Sequence, residues 1–84
     1  MANVKIYSKT YCPYCDRAKA LFKSKGINYE EVMLDDKDDE FAKLKQKTGL
    51  MTVPQIFIGE LLVGGYTDLA ALEREGKLDP MLAN

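Results

Sequence analysis

Histidine is absent from this chain of 84 residues, and cysteine occurs only twice. A zinc module needs four ligands, so a single copy cannot complete a tetrahedral site from these residue types, and only sharing between subunits could rescue one. Net charge is nearly absent as well, at −1, with Lys/Arg and Asp/Glu intermixed along the chain. That balance argues against bulk electrostatic binding to nucleic acid or to an anionic membrane. No segment approaches the roughly 18 consecutive apolar residues of a membrane span. The N-terminus carries no apolar run long enough for a secretory signal. Linkers, repeats and low-complexity tracts are missing too. What remains is one domain, residues 1–84, with 46% apolar and 30% charged residues, the composition of an ordinary globule. A chain this short buries only about 60% of its unfolded surface, so its stability margin is modest. Two cysteines without an export signal point to a reducing cytoplasm, where such a pair is catalytic rather than a structural staple.

Both cysteines lie in one stretch, Lys9-Thr10-Tyr11-Cys12-Pro13-Tyr14-Cys15. The alternation Val4-Lys5-Ile6-Tyr7 before it reads as a strand, and Ala18, Leu21 and Phe22 after it have helical spacing. The Cys-x-x-Cys therefore sits where a strand ends and a helix begins. Pro13 suits the first helical position, where the amide it lacks would be unpaired anyway. Cys12 then falls at the N-cap, where free amides and the positive end of the helix dipole favour an anion. A thiolate is such an anion and is the reactive form, and Lys9 adds a nearby positive charge. Cys12 is expected to ionise well below the roughly 8.5 of a free thiol. Cys15 lines up with Ala18 and Phe22 on the stripe the helix buries, so it should be shielded.

The first helix is expected over about Pro13–Lys25 with Gly26 just past its end. Ile27–Leu34 reads as a second strand, parallel to the first because a helix connects them. The acidic run Asp35–Glu40 followed by Lys43, Lys45 and Lys47 matches the dipole of a second helix, with Phe41, Leu44 and Thr48 inward and Gly49 ending it. Its charges read as a solvated face rather than an ion or partner site. Two apolar runs then flank Gly59-Glu60, a type II′ hairpin signal. Pro54 is tolerable at a strand entry. Thr67 or Asp68 can cap a third helix carrying Leu69 and Leu72 and closed by Gly76, and Leu78–Leu82 forms a last short turn. The order predicts an α/β protein: a four-stranded mixed sheet with helices on both faces.

Cys12-Pro13-Tyr14-Cys15, Thr52-Val53-Pro54, and Gly64-Gly65 followed by Thr67-Asp68 together resemble a dithiol glutaredoxin. The match runs from Ala2 to Leu82 and is similar to small bacterial members of that family. The resemblance implies a thioredoxin-like fold with sheet order 2-1-3-4. It implies glutathione-dependent reduction of protein disulfides and of glutathione mixed disulfides, with glutathione as reductant and no metal. Cys12 would be the nucleophile and Cys15 the resolving thiol. Val53 would pair its backbone with the cysteinyl part of glutathione, with Thr52 beside it and Pro54 in cis. Thr67 and Asp68 would hold the γ-glutamyl end, and Lys9 and Tyr14 would line the glycyl end and the sulfur channel. The chemistry of glutathione fits independently. Lys9 suits one carboxylate, the amides starting the third helix suit the other, and Asp68 suits the ammonium. An extended tripeptide can also add to a strand edge at Val53.

Two positions depart from the family pattern. Phe41 stands where relatives often carry Arg or Gln to clamp the glycyl carboxylate, and Lys45 one turn on is the candidate substitute. Tyr11 replaces the small residue many relatives have before the nucleophile. The expected partners are glutathione and disulfide-bearing or glutathionylated proteins, met by a monomer. Three rival functions use parts of the same pattern. A flavoprotein-fed thioredoxin-like reductase is disfavoured by Pro-Tyr between the cysteines and by the Thr67-Asp68 pair. An iron–sulfur carrier is disfavoured by Pro13 and by the competing Cys15. The zinc module lacks ligands.

Overall fold

The structure, a computed structural model, describes residues 3–83, so Met1, Ala2 and Asn84 of the expected domain lie outside the described residues. Strand β1 (Val4–Ser8) runs through the middle of the sheet. Its side chains alternate, with Val4, Ile6 and Ser8 buried and Lys5 and Tyr7 half-buried, because successive residues of a strand face opposite sides. It pairs in parallel with β2 (Glu30–Met33) and antiparallel with β3 (Gln55–Ile58). β3 pairs antiparallel with β4 (Leu61–Gly64), giving the order β2-β1-β3-β4.

Helix α1 (Pro13–Ser24) buries Cys15, Ala18 and Phe22. Helix α2 (Asp38–Thr48) buries Phe41 and Leu44. Helices α3 (Tyr66–Arg74) and α4 (Leu78–Ala83) bury Leu69, Leu78 and Leu82. Two cores result, one per face of the sheet. Ala18 and Phe22 meet Val4, Ile6, Ile56, Ile58, Leu69, Leu78 and Leu82 on one face. Leu34, Phe41 and Leu44 pack with Tyr7, Val32, Val53 and Phe57 on the other. Full burial of each such side chain is worth about 1.5–3 kcal/mol, which holds α1 and α2 against opposite sides. The arrangement is the expected thioredoxin-like α/β fold.

The boundaries differ where local hydrogen bonds compete with the ladder. The second strand covers Glu30–Met33 rather than Ile27–Leu34. Ile27 N–H donates to the Phe22 carbonyl at 3.0 Å, tying that residue to the end of α1. Leu34 N–H still donates to Ser8 at 2.8 Å, but its carbonyl accepts from Lys37 and turns the chain toward α2. Lys25 is the C-cap of α1 rather than its last helical residue. The expected hairpin forms at Gly59-Glu60, where Gly59 takes φ 60°, a value that suits the first central position of a II′ turn.

The cap of α3 also differs. Neither Thr67 nor Asp68 is the N-cap; Gly65 is, and Asp68 sits at the third helical position. From there its carboxylate reaches back to accept the Gly65 N–H at 3.0 Å. This leaves the chain no room at Gly64. That residue takes φ 117°, and a Cβ there would collide with the Asp68 carboxylate, so only glycine fits.

Candidate active site

Cys12 is the N-cap of α1, with extended backbone (φ −112°, ψ 98°), and Pro13 opens the helix. The Cys12 sulfur accepts the Cys15 N–H at 3.2 Å. The same sulfur lies 3.9 Å from the Val53 carbonyl oxygen. Cys12 and Cys15 are joined as a disulfide. Their environments are unequal: Cys12 is half-buried, whereas Cys15 is 0% exposed beneath the helix. An incoming sulfur can therefore reach Cys12 but not Cys15.

The Thr52-Val53-Pro54 stretch faces Cys12 through Val53, and the Val53–Pro54 peptide is cis. Gln55 braces this stretch from below. Its side chain is fully buried, its amide donates to the carbonyls of Leu50 (3.0 Å) and Thr52 (3.1 Å), and its Oε1 accepts from the Thr48 hydroxyl (2.9 Å). The start of α3 abuts the same stretch, since a Cβ on Gly65 would lie 3.7 Å from the Pro54 carbonyl oxygen. Thr67 and Asp68 are exposed in the first turn of that helix. Cys12, Val53 and the first turn of α3 thus line one surface, with Pro54 itself buried. Tyr14, 57% exposed, stacks on Tyr66 at 6.0 Å between ring centroids, which joins α1 to α3 across it. The Arg17 guanidinium lies 5.3 Å from the Tyr14 ring.

Lys9 belongs to a second group of residues on the α2 side. Its ammonium lies 4.6 Å from the centre of the Phe41 ring, and the Lys45 ammonium lies 4.3 Å from the same ring. The aromatic residue that departs from the family pattern thereby gathers two cations. The loop between Lys9 and Cys12 is held by Asp35. The Thr10 N–H donates to both Asp35 carboxylate oxygens at 3.1 Å, and the Thr10 hydroxyl donates to Oδ2 at 3.0 Å.

Asp35, Gln55 and Tyr66, and the N-cap role of Gly65, escaped the reading of the sequence. Gln55 alone left a signal, a lone amide inside the apolar run Gln-Ile-Phe-Ile directly after Pro54. The others act through contacts between loops distant in sequence. Among the described residues no group of three or more His, Cys, Asp or Glu side chains could hold a metal ion. No helix among them is long and apolar enough to cross a membrane.

The family model described as Glutaredoxin matches residues 4–63. A glutaredoxin of Pseudomonas aeruginosa is 52% identical over 83 residues, covering 99% of both chains. Glutaredoxin 3 of Escherichia coli is 49% identical over 82 residues, covering 98% of this chain and 99% of that one. Among solved structures, a buckwheat glutaredoxin–glutathione complex superposes with TM-score 0.93 at 44% identity, covering 98% of this chain and 77% of the other. The solution structure of a Brucella melitensis glutaredoxin gives 0.86 at 48% identity, covering 98% and 89%. With its cysteine pair at a helix start and these matches along nearly its whole length, the chain belongs to the glutaredoxin family, whose members are glutathione-dependent thiol–disulfide oxidoreductases.

Proposed function

We propose that Cys12 is the nucleophile and Cys15 the resolving thiol of a cytoplasmic, monomeric glutaredoxin, a single domain over residues 1–84. It reduces glutathione mixed disulfides on proteins, and protein disulfides. The observation that carries this assignment is the inequality of the two sulfurs. Cys12 is reachable at the helix N-cap, and Cys15 is sealed at 0% exposure.

In the first route the Cys12 thiolate attacks the glutathionyl sulfur of a protein–glutathione mixed disulfide. A bond forms from Cys12 Sγ to glutathione, the original S–S bond breaks, and the protein thiolate leaves and takes up a proton. The thiolate of a second glutathione attacks the glutathionyl sulfur, giving oxidised glutathione and restoring the Cys12 thiolate. In the dithiol route the Cys12 thiolate attacks one sulfur of a protein disulfide, that S–S bond breaks, and the other sulfur leaves as a thiolate and takes up a proton. Deprotonated Cys15 then attacks Cys12 Sγ, closes the Cys12–Cys15 disulfide and expels the reduced substrate. Two glutathione molecules in succession reopen that disulfide and leave as oxidised glutathione, restoring both thiols.

The glutathione reading is supported by chemistry and by the family. A cysteinyl sulfur bonded to Cys12 brings its own backbone alongside Val53, whose carbonyl is 3.9 Å from Cys12 Sγ. There the tripeptide can add main-chain hydrogen bonds, with Thr52 beside it and Pro54 holding the bend. Thr67, Asp68 and the first amides of α3 receive the γ-glutamyl end, its ammonium against Asp68 and its carboxylate against the amides. Lys9 and Tyr14 line the glycyl end, with Lys45 as the second cation. The buckwheat relative, solved as a glutathione complex, supports glutathione as the ligand.

A coupled assay with glutathione, glutathione reductase and the mixed disulfide of glutathione and 2-mercaptoethanol tests the proposal. Wild type should turn over and Cys12→Ser should not. Turnover by Cys12→Ser, or none by wild type, overturns it.

A further inference from the structure

Tyr11 is 98% exposed, more than any other large apolar side chain among the described residues. It also takes φ 58°, in the left-handed region that an aromatic residue rarely adopts. Neither feature serves the folded state of the free protein, since the ring gains no burial and the backbone is strained. Among the described residues its ring stacks on no other ring and carries no cation. Yet its position is closely held. Thr10 before it is fastened to Asp35 through three hydrogen bonds of 3.0–3.1 Å, and Cys12 after it is the helix cap.

The surroundings say what such a ring can meet. Three of the five exposed large apolar residues among the described residues, Tyr11, Tyr14 and Met51, lie within two positions of Cys12 or Val53, whose atoms face each other. Any mixed disulfide that Cys12 attacks brings the atoms beside both of its sulfurs, the attacked one and the leaving one, to this surface. Glutathione itself presents two carboxylates and an ammonium, with no large apolar side chain for a phenol ring to bury. A polypeptide bearing the glutathionylated cysteine does present one.

We propose that Tyr11 is a recognition residue for the polypeptide arm of the substrate, which carries the leaving sulfur, packing against an apolar side chain that flanks the modified cysteine on the protein being reduced. This rests on Cys12 being the nucleophile. It makes the enzyme selective among glutathionylated proteins by the residues beside their cysteines. The αL backbone, pinned through Thr10, presents the ring before the substrate arrives, which lowers the ordering cost of binding.

The test compares two neutral glutathionylated peptides, one with Leu and Phe flanking the cysteine and one with Ser and Gly, alongside the glutathione–2-mercaptoethanol mixed disulfide. Wild type should favour the apolar peptide over the polar one by about tenfold in kcat/KM. Tyr11→Gly and Tyr11→Asn, both residues that tolerate positive φ, should lose that preference, and Tyr11→Phe should keep it. A preference that survives in Tyr11→Gly, or that wild type never shows, overturns the proposal. So does a loss in Tyr11→Gly of equal size on all three substrates, which would mark a general effect on Cys12. A wild type inert even toward the small mixed disulfide would overturn the proposed reaction, and the recognition role with it.

Discussion

The Cys15 backbone N–H points at the Cys12 sulfur from 3.2 Å. In the reduced protein the same amide, together with the other free amides of the helix start, favours the anionic form of that sulfur. Alkylation of reduced protein should therefore stay fast at neutral pH and slow only when the pH falls well below the range of a free thiol. A rate profile shaped like that of free cysteine would remove the electrostatic argument. Cys15→Ser keeps the amide and should keep that profile. It should also retain reduction of small mixed disulfides within about threefold while losing the dithiol route, whereas Cys12→Ser should lose both. Equal loss from the two variants on the small mixed disulfide would show that the thiols are not divided as assigned.

Lys9 and Lys45 share the Phe41 ring, at 4.6 and 4.3 Å. If both face the glycyl carboxylate of glutathione, Lys9→Ala and Lys45→Ala should each raise KM for glutathione by about twofold to fivefold, the scale of an exposed ion pair. Turnover should change little, because the contact is remote from sulfur. Added salt should raise KM in wild type and much less in the double variant, since screening acts on the charges removed. A Lys45→Ala protein with unchanged KM would leave the glycyl end to Lys9 alone.

That pair illustrates what was legible in the sequence. The departure at Phe41 came from the family resemblance and the candidacy of Lys45 from its place one turn on, but that both ammoniums meet over one ring could not be read. Periodicity reports which face of an element is buried. It recovered the element order, the N-cap at Cys12 and the burial of Cys15. It says nothing of braces between loops, so Asp35 on Thr10 and Gln55 under Thr52 leave no periodic trace. The overlong second strand has the same origin, because Ile27 and Tyr29 are apolar enough to extend the pattern while the Ile27 amide is committed to Phe22. Thr67 and Asp68 looked like caps because their residue types suit the role. Glycine takes the N-cap instead, and Asp68 caps it from inside the helix.

Asp68 thus has a structural contact and a proposed ligand contact, and two substitutions separate them. Asp68→Asn keeps an oxygen for the Gly65 N–H but loses the charge that would face the glutathione ammonium. It should raise KM for glutathione by about threefold to tenfold while leaving stability within about 0.5 kcal/mol. Asp68→Ala should raise KM similarly and also cost about 1 kcal/mol in denaturant unfolding. An Asn variant with normal KM would confine Asp68 to the cap.

The helix that carries both cysteines is tied to the sheet through Glu31. Its carboxylate accepts from Lys19 on α1 at 2.8 Å and from the buried Ser8 hydroxyl on β1 at 2.7 Å. The Lys19 hydrogen bond is the main cause that lowers the Glu31 pKa from its ordinary 4.5, with Ser8 second and burial opposing. A carboxyl depressed in the folded state stabilises it fully above the unfolded value, and that contribution fades as pH falls through the folded one. Glu31→Gln keeps an acceptor for Ser8 but loses the ion pair, whose side chains are 28% and 21% exposed. At pH 7 it should cost about 1 kcal/mol and lower Tm by about 5 °C in a domain of this size. Scanned downward from pH 7, the gap between wild type and Glu31→Gln should hold to about pH 5 and then close below the ordinary carboxylate range. A gap that persists at the acid end would place the stabilisation in packing rather than in charge.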